Sequence, residues 1–176
     1  EAADPSFADY ARRIVANAQA LAAALGQRGF RLVSGGTDNY FMLVDLRPFD
    51  AELTGKEAQI ALDDSGITLN RNTIPDDPRS PFVTSGLRLG TPSVTTQGLD
   101  ETHMVQIADW IERVLRAPSD DAVRSAVRAE VSSPTYEAAL FQNEGEALID
   151  PARLGWGFAD ACTRPGVRLV ARTALV

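Results

Sequence analysis

The chain has 176 residues, 44% apolar and 23% charged, the proportions of a soluble globular protein with one domain or a small domain plus an appendage. A net charge of -7 and a pI near 4.7 argue against nucleic acid or an anionic membrane as the main partner. One cysteine, Cys162, permits neither an intramolecular disulfide nor a cysteine metal cluster, and one histidine, His103, argues against a Ser-His-Asp triad or a multi-histidine metal site.

No apolar run approaches the roughly 18 residues of a membrane span, and the start lacks the basic and apolar regions of a signal peptide. The expected compartment is therefore the cytoplasm. Glu1 stands where an initiator methionine would, so the sequence reads as an excised piece.

Asp4-Pro5 is a helix start, with aspartate as N-cap and proline at the first helical position. Tyr10, Ile14, Ala18, Leu21 and Leu25 recur at helical spacing, which predicts an amphipathic helix ending near Gly29. Phe30 to Val33 predicts a short strand, Ser34 to Asn39 a turn, and Phe41 to Leu46 an apolar strand stopped by Arg47-Pro48. Thr54-Gly55-Lys56-Glu57 matches a capping box, opening a helix to about Asp64. Gly66 ends it before a predicted strand at Ile67 to Leu69.

A proline-rich loop follows, then a strand over Thr84 to Leu89 that carries one arginine, Arg88, and a Gly-Thr-Pro turn. An arginine inside an apolar strand calls for an anionic partner, because an unpaired buried charge is very costly. Met104, Ile107, Ala108, Ile111, Val114 and Leu115 line one face of a predicted helix from about Asp100 to Arg116. The order predicts an α/β fold, a small α/β sandwich with helices packed on one sheet.

Beyond Ala117-Pro118 a helix is expected over Ser119 to Val131, with Ser119 as N-cap. Ser132-Ser133-Pro134 breaks it, Asp150-Pro151 opens another helix, and Val167 to Val170 begins a strand. The sequence stops at Ala174-Leu175-Val176, within that expected strand. The expected division is 1–118, a helical junction at 119–131, and a partly ordered α/β tail at 132–176.

Several motifs carry a family resemblance. Val15-Ala16-Asn17-Ala18, Leu32 to Asn39, Leu43-Val44-Asp45-Leu46, Leu53-Thr54-Gly55-Lys56-Glu57-Ala58, the loop from Asn70, and Ser85-Gly86-Leu87-Arg88-Leu89-Gly90-Thr91-Pro92 occur in the order found in serine (glycine) hydroxymethyltransferases. They resemble that family's C-terminal small domain, like the C-terminal domain of fold-type I pyridoxal phosphate enzymes. Tyr40 stands where many members have histidine. The resemblance implies that Arg88 binds the α-carboxylate of serine or glycine through a bidentate, charge-assisted pair. It further implies that Asn72 hydrogen-bonds the folate cosubstrate, with Ser80 on the same folate-binding loop. The implied cofactor is pyridoxal phosphate, with tetrahydrofolate as cosubstrate.

The family's Schiff-base lysine segment does not occur here. Lys56, the chain's single lysine, sits at the start of a capped helix and reads as a surface residue, as His103 does on the later helix. The resemblance thus implies a chain with no catalytic residue of its own, partnered by a missing large domain within a homodimer or higher oligomer. Without that domain the loop at 71–83 is expected to be mobile, although Pro75, Pro78, Pro81 and nearby Pro92 stiffen it.

The tail looks different. Ser133-Pro134-Thr135-Tyr136, Asn143-Glu144-Gly145, Leu148 to Leu154 and Gly166-Val167-Arg168 resemble an internal piece of FAD-dependent glycine/D-amino acid oxidase-type enzymes. The dinucleotide-binding glycine loop is absent, so FAD binding is not expected. A junction of two coding sequences near Val127 to Val131 is the expectation. The alternatives to a hydroxymethyltransferase portion are a non-catalytic interaction module or a chimeric fragment without independent activity.

Overall fold

The computed structural model describes residues 5–131. The readings at Asp4 and at 132–176, including the tail motifs and Cys162, lie outside the described residues. Five helices and four strands follow in the order α1 (Pro5–Gln27), β1 (Arg31–Leu32), β2 (Phe41–Asp45), α2 (Gly55–Asp64), β3 (Asn70–Asn72), β4 (Gly86–Gly90), α3 (Pro92–Thr96), α4 (Glu101–Arg116) and α5 (Asp121–Val131). The strands form one antiparallel sheet in the order β1-β2-β4-β3. This is the α/β class expected.

The sheet's two faces differ because side chains alternate along a strand. Leu32, Met42, Val44, Leu87 and Leu89 are buried against the helices, where Ala18, Leu21 and Leu25 of α1 meet Met104, Ala108, Ile111 and Leu115 of α4. The opposite face carries Arg31, Phe41, Asn70 and Arg88, all exposed. Asn17, buried in the α1 face, donates to the Thr95 hydroxyl and the Leu99 carbonyl, both at 2.9 Å, and so fastens α3 to α1. Phe30 stacks on Phe49 at 4.2 Å between centroids, with the Arg116 guanidinium 5.0 Å from the Phe49 ring.

The structure moves several expected boundaries. The predicted strand at Ile67 to Leu69 is displaced: the Ile67 N–H still closes the end of α2 on the Leu62 carbonyl, and pairing starts at Asn70. The strand at 84–89 begins two residues late, because Thr84 has φ +61°, outside the extended region. The turn at Thr91-Pro92 is instead the entry to α3, with Pro92 at its first turn. Asp120 rather than Ser119 caps α5, its carboxylate accepting from the N–H groups of Ala122 and Val123. The capping box of α2 is present as expected: the Thr54 hydroxyl accepts from Glu57 N–H at 3.1 Å, and the Glu57 carboxylate accepts from Thr54 N–H at 3.0 Å. α5 packs on both α4 and α2: Val127 is fully buried, Glu130 receives Trp110 Nε1 at 2.7 Å and both Arg113 Nη atoms at 2.9 Å, and Arg128 donates to the Asp64 carbonyl.

Candidate functional site

Strand register puts two of the expected site residues together. Arg88 lies opposite Leu43 on one side and Asn70 on the other, and Asn72 lies opposite Gly86, two residues away. Arg88 and Asn72 are therefore diagonal neighbours on one face of adjacent strands. Arg88 is exposed, and among the described residues no hydrogen bond or ion pair reaches its guanidinium. The expectation that burial would force an anionic partner on it is corrected: only the Leu87 and Leu89 face of the strand is buried. Asn72 is half-buried, its side-chain amide donating to the Thr73 carbonyl at 2.7 Å. Ser80 is exposed in the loop, outside the strand ladder, beside Phe82, which is 79% exposed.

Beside Arg88 the sheet carries a buried ion-pair fork. Asp45 is fully buried yet sits in a fork of two guanidiniums, accepting from Arg47 Nε at 3.0 Å and Arg47 Nη2 at 2.9 Å, with Arg31 Nη2 at 2.6 Å. Burial would raise its carboxyl pKa, but the hydrogen bonds and charges of Arg47 and Arg31 outweigh this and hold it below the usual carboxylate range. Arg31 and Arg47 at this end of the face thus share the Asp45 carboxylate, whereas Arg88 makes no hydrogen bond or ion pair among the described residues.

The loop between β3 and β4 is tied by hydrogen bonds to the start of α2 and within itself. Arg79 donates through Nη1 to the Leu53 carbonyl at 2.8 Å and through Nη2 to the Ala51 carbonyl at 2.7 Å. The N–H groups of Gly55 and Lys56, at the start of α2, donate to the carbonyls of Thr84 and Val83, each at 3.0 Å. The Asp77 carboxylate gathers four donors, namely the N–H groups of Ile74, Arg79 and Ser85 and the Ser85 hydroxyl. Burial would raise its pKa as well, but these hydrogen bonds prevail and lower it. Sequence reading passed over Asp77. An aspartate in an Asp-Asp-Pro loop looks like any turn residue, and its partner Ser85 is eight positions away.

The other expected residues fall elsewhere. Lys56 is exposed on the first turn of α2. His103 is half-buried and closes the N-terminus of α4 with Asp100, its Nδ1 2.6 Å from the Asp100 carboxylate. A groove of about 620 Å³ between α2 and the start of α5 is lined by Asp50, Glu52, Glu57, Asp64 and Asp121, with Arg124, and contains none of the expected site residues. Among the described residues there is no cluster of three or more metal-ligating side chains, and no helix is long and apolar enough to cross a membrane.

These features define a small α/β domain that presents an exposed guanidinium, Arg88, diagonal to Asn72 on one face of its sheet. The chain belongs to the serine hydroxymethyltransferase family: the family model of that description matches residues 1–111. It is 52% identical over 133 residues to the serine hydroxymethyltransferase of Xanthomonas campestris pv. campestris (strain B100), a match covering 76% of this chain and 31% of that protein. The serine hydroxymethyltransferases of Xanthomonas axonopodis pv. citri (strain 306) and Xanthomonas oryzae pv. oryzae (strain PXO99A) are each 50% identical over the same shares. The chain spans just under a third of the length of these curated relatives.

Proposed function

We propose that this chain is the C-terminal portion of a cytoplasmic glycine hydroxymethyltransferase, which converts serine and tetrahydrofolate into glycine and methylenetetrahydrofolate. The observation that carries the reading is the exposed Arg88 guanidinium, without a partner among the described residues, next to Asn72 on one sheet face. Arg88 takes the α-carboxylate of serine or glycine in a bidentate pair, fixing the amino acid about the bond to be broken. Asn72 donates to the folate, and Ser80 lies on the same wall. Because each group binds an otherwise mobile substrate, their contribution is orientation rather than proton transfer.

Pyridoxal phosphate supplies the electron sink in the intact enzyme. The residues here do not fit its attachment: the aldehyde needs an amine, and the chain's one lysine, Lys56, stands exposed on α2, off the Arg88 face. The attachment site belongs to the large domain, in the part of the relatives that this chain does not span, and the working enzyme is a homodimer or higher oligomer. Alone, the chain is inactive. The reading assigns no role to FAD.

The test combines this chain with the upstream portion of the Xanthomonas campestris relative and measures serine turnover. The combination is expected to be active and the chain alone inactive. Arg88→Ala should lower kcat/KM for serine about 100-fold or more, and Arg88→Lys should restore only part of the loss. Unchanged turnover in Arg88→Ala would remove Arg88 from the site. If the two parts associate but turn over no serine, the chain is a non-catalytic interaction module.

A further inference from the structure

We infer that Asp77 is a positioning residue that sets the register of Asn72 against Arg88; this deepens the function proposed above and rests on it. The β3–β4 ladder has three rungs, Asn70 to Arg88, Arg71 to Leu87 and Asn72 to Gly86. A three-residue polar edge strand without apolar alternation fixes its register weakly through its own side chains; Gln59 of α2 holds its middle residue, accepting from Arg71 N–H at 3.2 Å and Arg71 Nη1 at 3.1 Å. A slip of one residue would turn Asn72 to the core face and separate it from Arg88.

Where the next rung would fall, the Asp77 carboxylate takes over. One oxygen accepts from Ile74 N–H at 3.3 Å, just beyond β3, and from Ser85 N–H at 2.9 Å, just before β4. The other accepts from the Ser85 hydroxyl at 2.7 Å and Arg79 N–H at 3.0 Å. The carboxylate thus clasps the two strands at the end nearest Asn72, with charge-assisted bonds in place of a neutral rung. Ile74 completes the clasp: it is buried, and its Cγ2 occupies the space over Gly86 where a side chain would otherwise be. Thr84, held at φ +61° between Ser80 and the start of α2, shows how tightly this end is determined, since a β-branched residue keeps that conformation only when its surroundings impose it.

The test uses Asp77→Asn, which keeps the shape but replaces one acceptor by a donor, and Ser85→Ala, which removes a single bond and leaves three. Amide exchange is read in the full chain at Ile74, Ser85, Asn72 and Gly86. Steady-state kinetics are read in the combination with the upstream portion of the relative. In Asp77→Asn, exchange at these amides should rise about tenfold while exchange in α4 stays unchanged. KM for tetrahydrofolate and for serine should rise about tenfold with kcat within about threefold, and Ser85→Ala should show a smaller change of the same kind. A loss of kcat with both KM values unchanged, or unchanged exchange at Ile74 and Ser85, overturns the inference. Raised exchange with unaltered KM also overturns it, because the clasp would then shape the loop without positioning the site. If Arg88→Ala leaves turnover intact, it is the reading of the site that fails. The clasp is then decided by exchange at Asn72 and Gly86 alone, supported if it rises and overturned if it does not.

Discussion

Gly86 and Gly90 flank Arg88 on the same strand but answer to different constraints. A Cβ on Gly86 would stand 2.4 Å from Ile74 Cγ2, 2.8 Å from the Val44 carbonyl oxygen and 2.9 Å from that of Asn72. Two of those neighbours are backbone on the adjoining strands, so no rotamer change relieves the contact and the sheet itself must open. On Gly90 the nearest atom would be 3.5 Å away, ordinary van der Waals contact. Gly86→Ala is therefore expected to destabilise by about 2 kcal/mol or more, and Gly90→Ala by under about 1 kcal/mol. Urea denaturation of the two variants checks this, and equal midpoints would contradict it. Because Asn72 is the residue displaced, Gly86→Ala should also weaken folate binding, whereas Gly90→Ala should not.

Among the elements, α5 has the most surprising role. Its sequence reads as a junction, and its short apolar stripe gives no hint of what it meets. In the fold, Val127 is wholly buried and Glu130 ties Trp110 and Arg113 of α4. Val127→Ala should therefore cost about 1–3 kcal/mol. Glu130→Gln should cost less, because a half-exposed pair is screened by solvent, but it should shift Trp110 fluorescence through the altered indole partner. A Val127→Ala variant as stable as the parent in urea would mean that α5 is not part of this core.

The contrast with other elements shows what local sequence can reveal. α1, α2 and α4 were legible because their signals are local: periodic apolar faces and a capping box. β3 was not, since Asn-Arg-Asn has no apolar alternation and pairs through its backbone with a strand 16 or so positions away. Arg88 and Asn72 could be singled out by motif, but their shared face could not, because a register is a long-range property. Asp77 was hidden for the same reason.

At the scale of the whole molecule, acid should act on this fold in two opposing ways. The chain carries a net charge of -7 at neutral pH, and that charge vanishes near the pI of 4.7. Relief of general repulsion would by itself stabilise the fold as pH falls toward that point. The buried Asp45 and the half-buried Asp77 work the other way. Asp45 and Asp77 both have folded-state pKa values below their ordinary value, because the bonds they accept outweigh the penalty of burial. A carboxylate depressed by folding contributes stability that is fully present above its unfolded pKa, about 3.9. That stability is lost as pH falls through the folded value. The thermal midpoint of the chain should therefore hold or rise slightly from pH 7 to about 5, then fall steeply below about pH 4. Calorimetry across pH 7 to 3 measures this directly. Asp45→Asn should lower the midpoint at pH 7, because Arg31 and Arg47 lose their shared anion, and should flatten the acid limb because the titrating group is gone. A parent midpoint that keeps rising below pH 4 would mean that general charge repulsion, not the Asp45 fork and the Asp77 clasp, governs how this domain responds to acid.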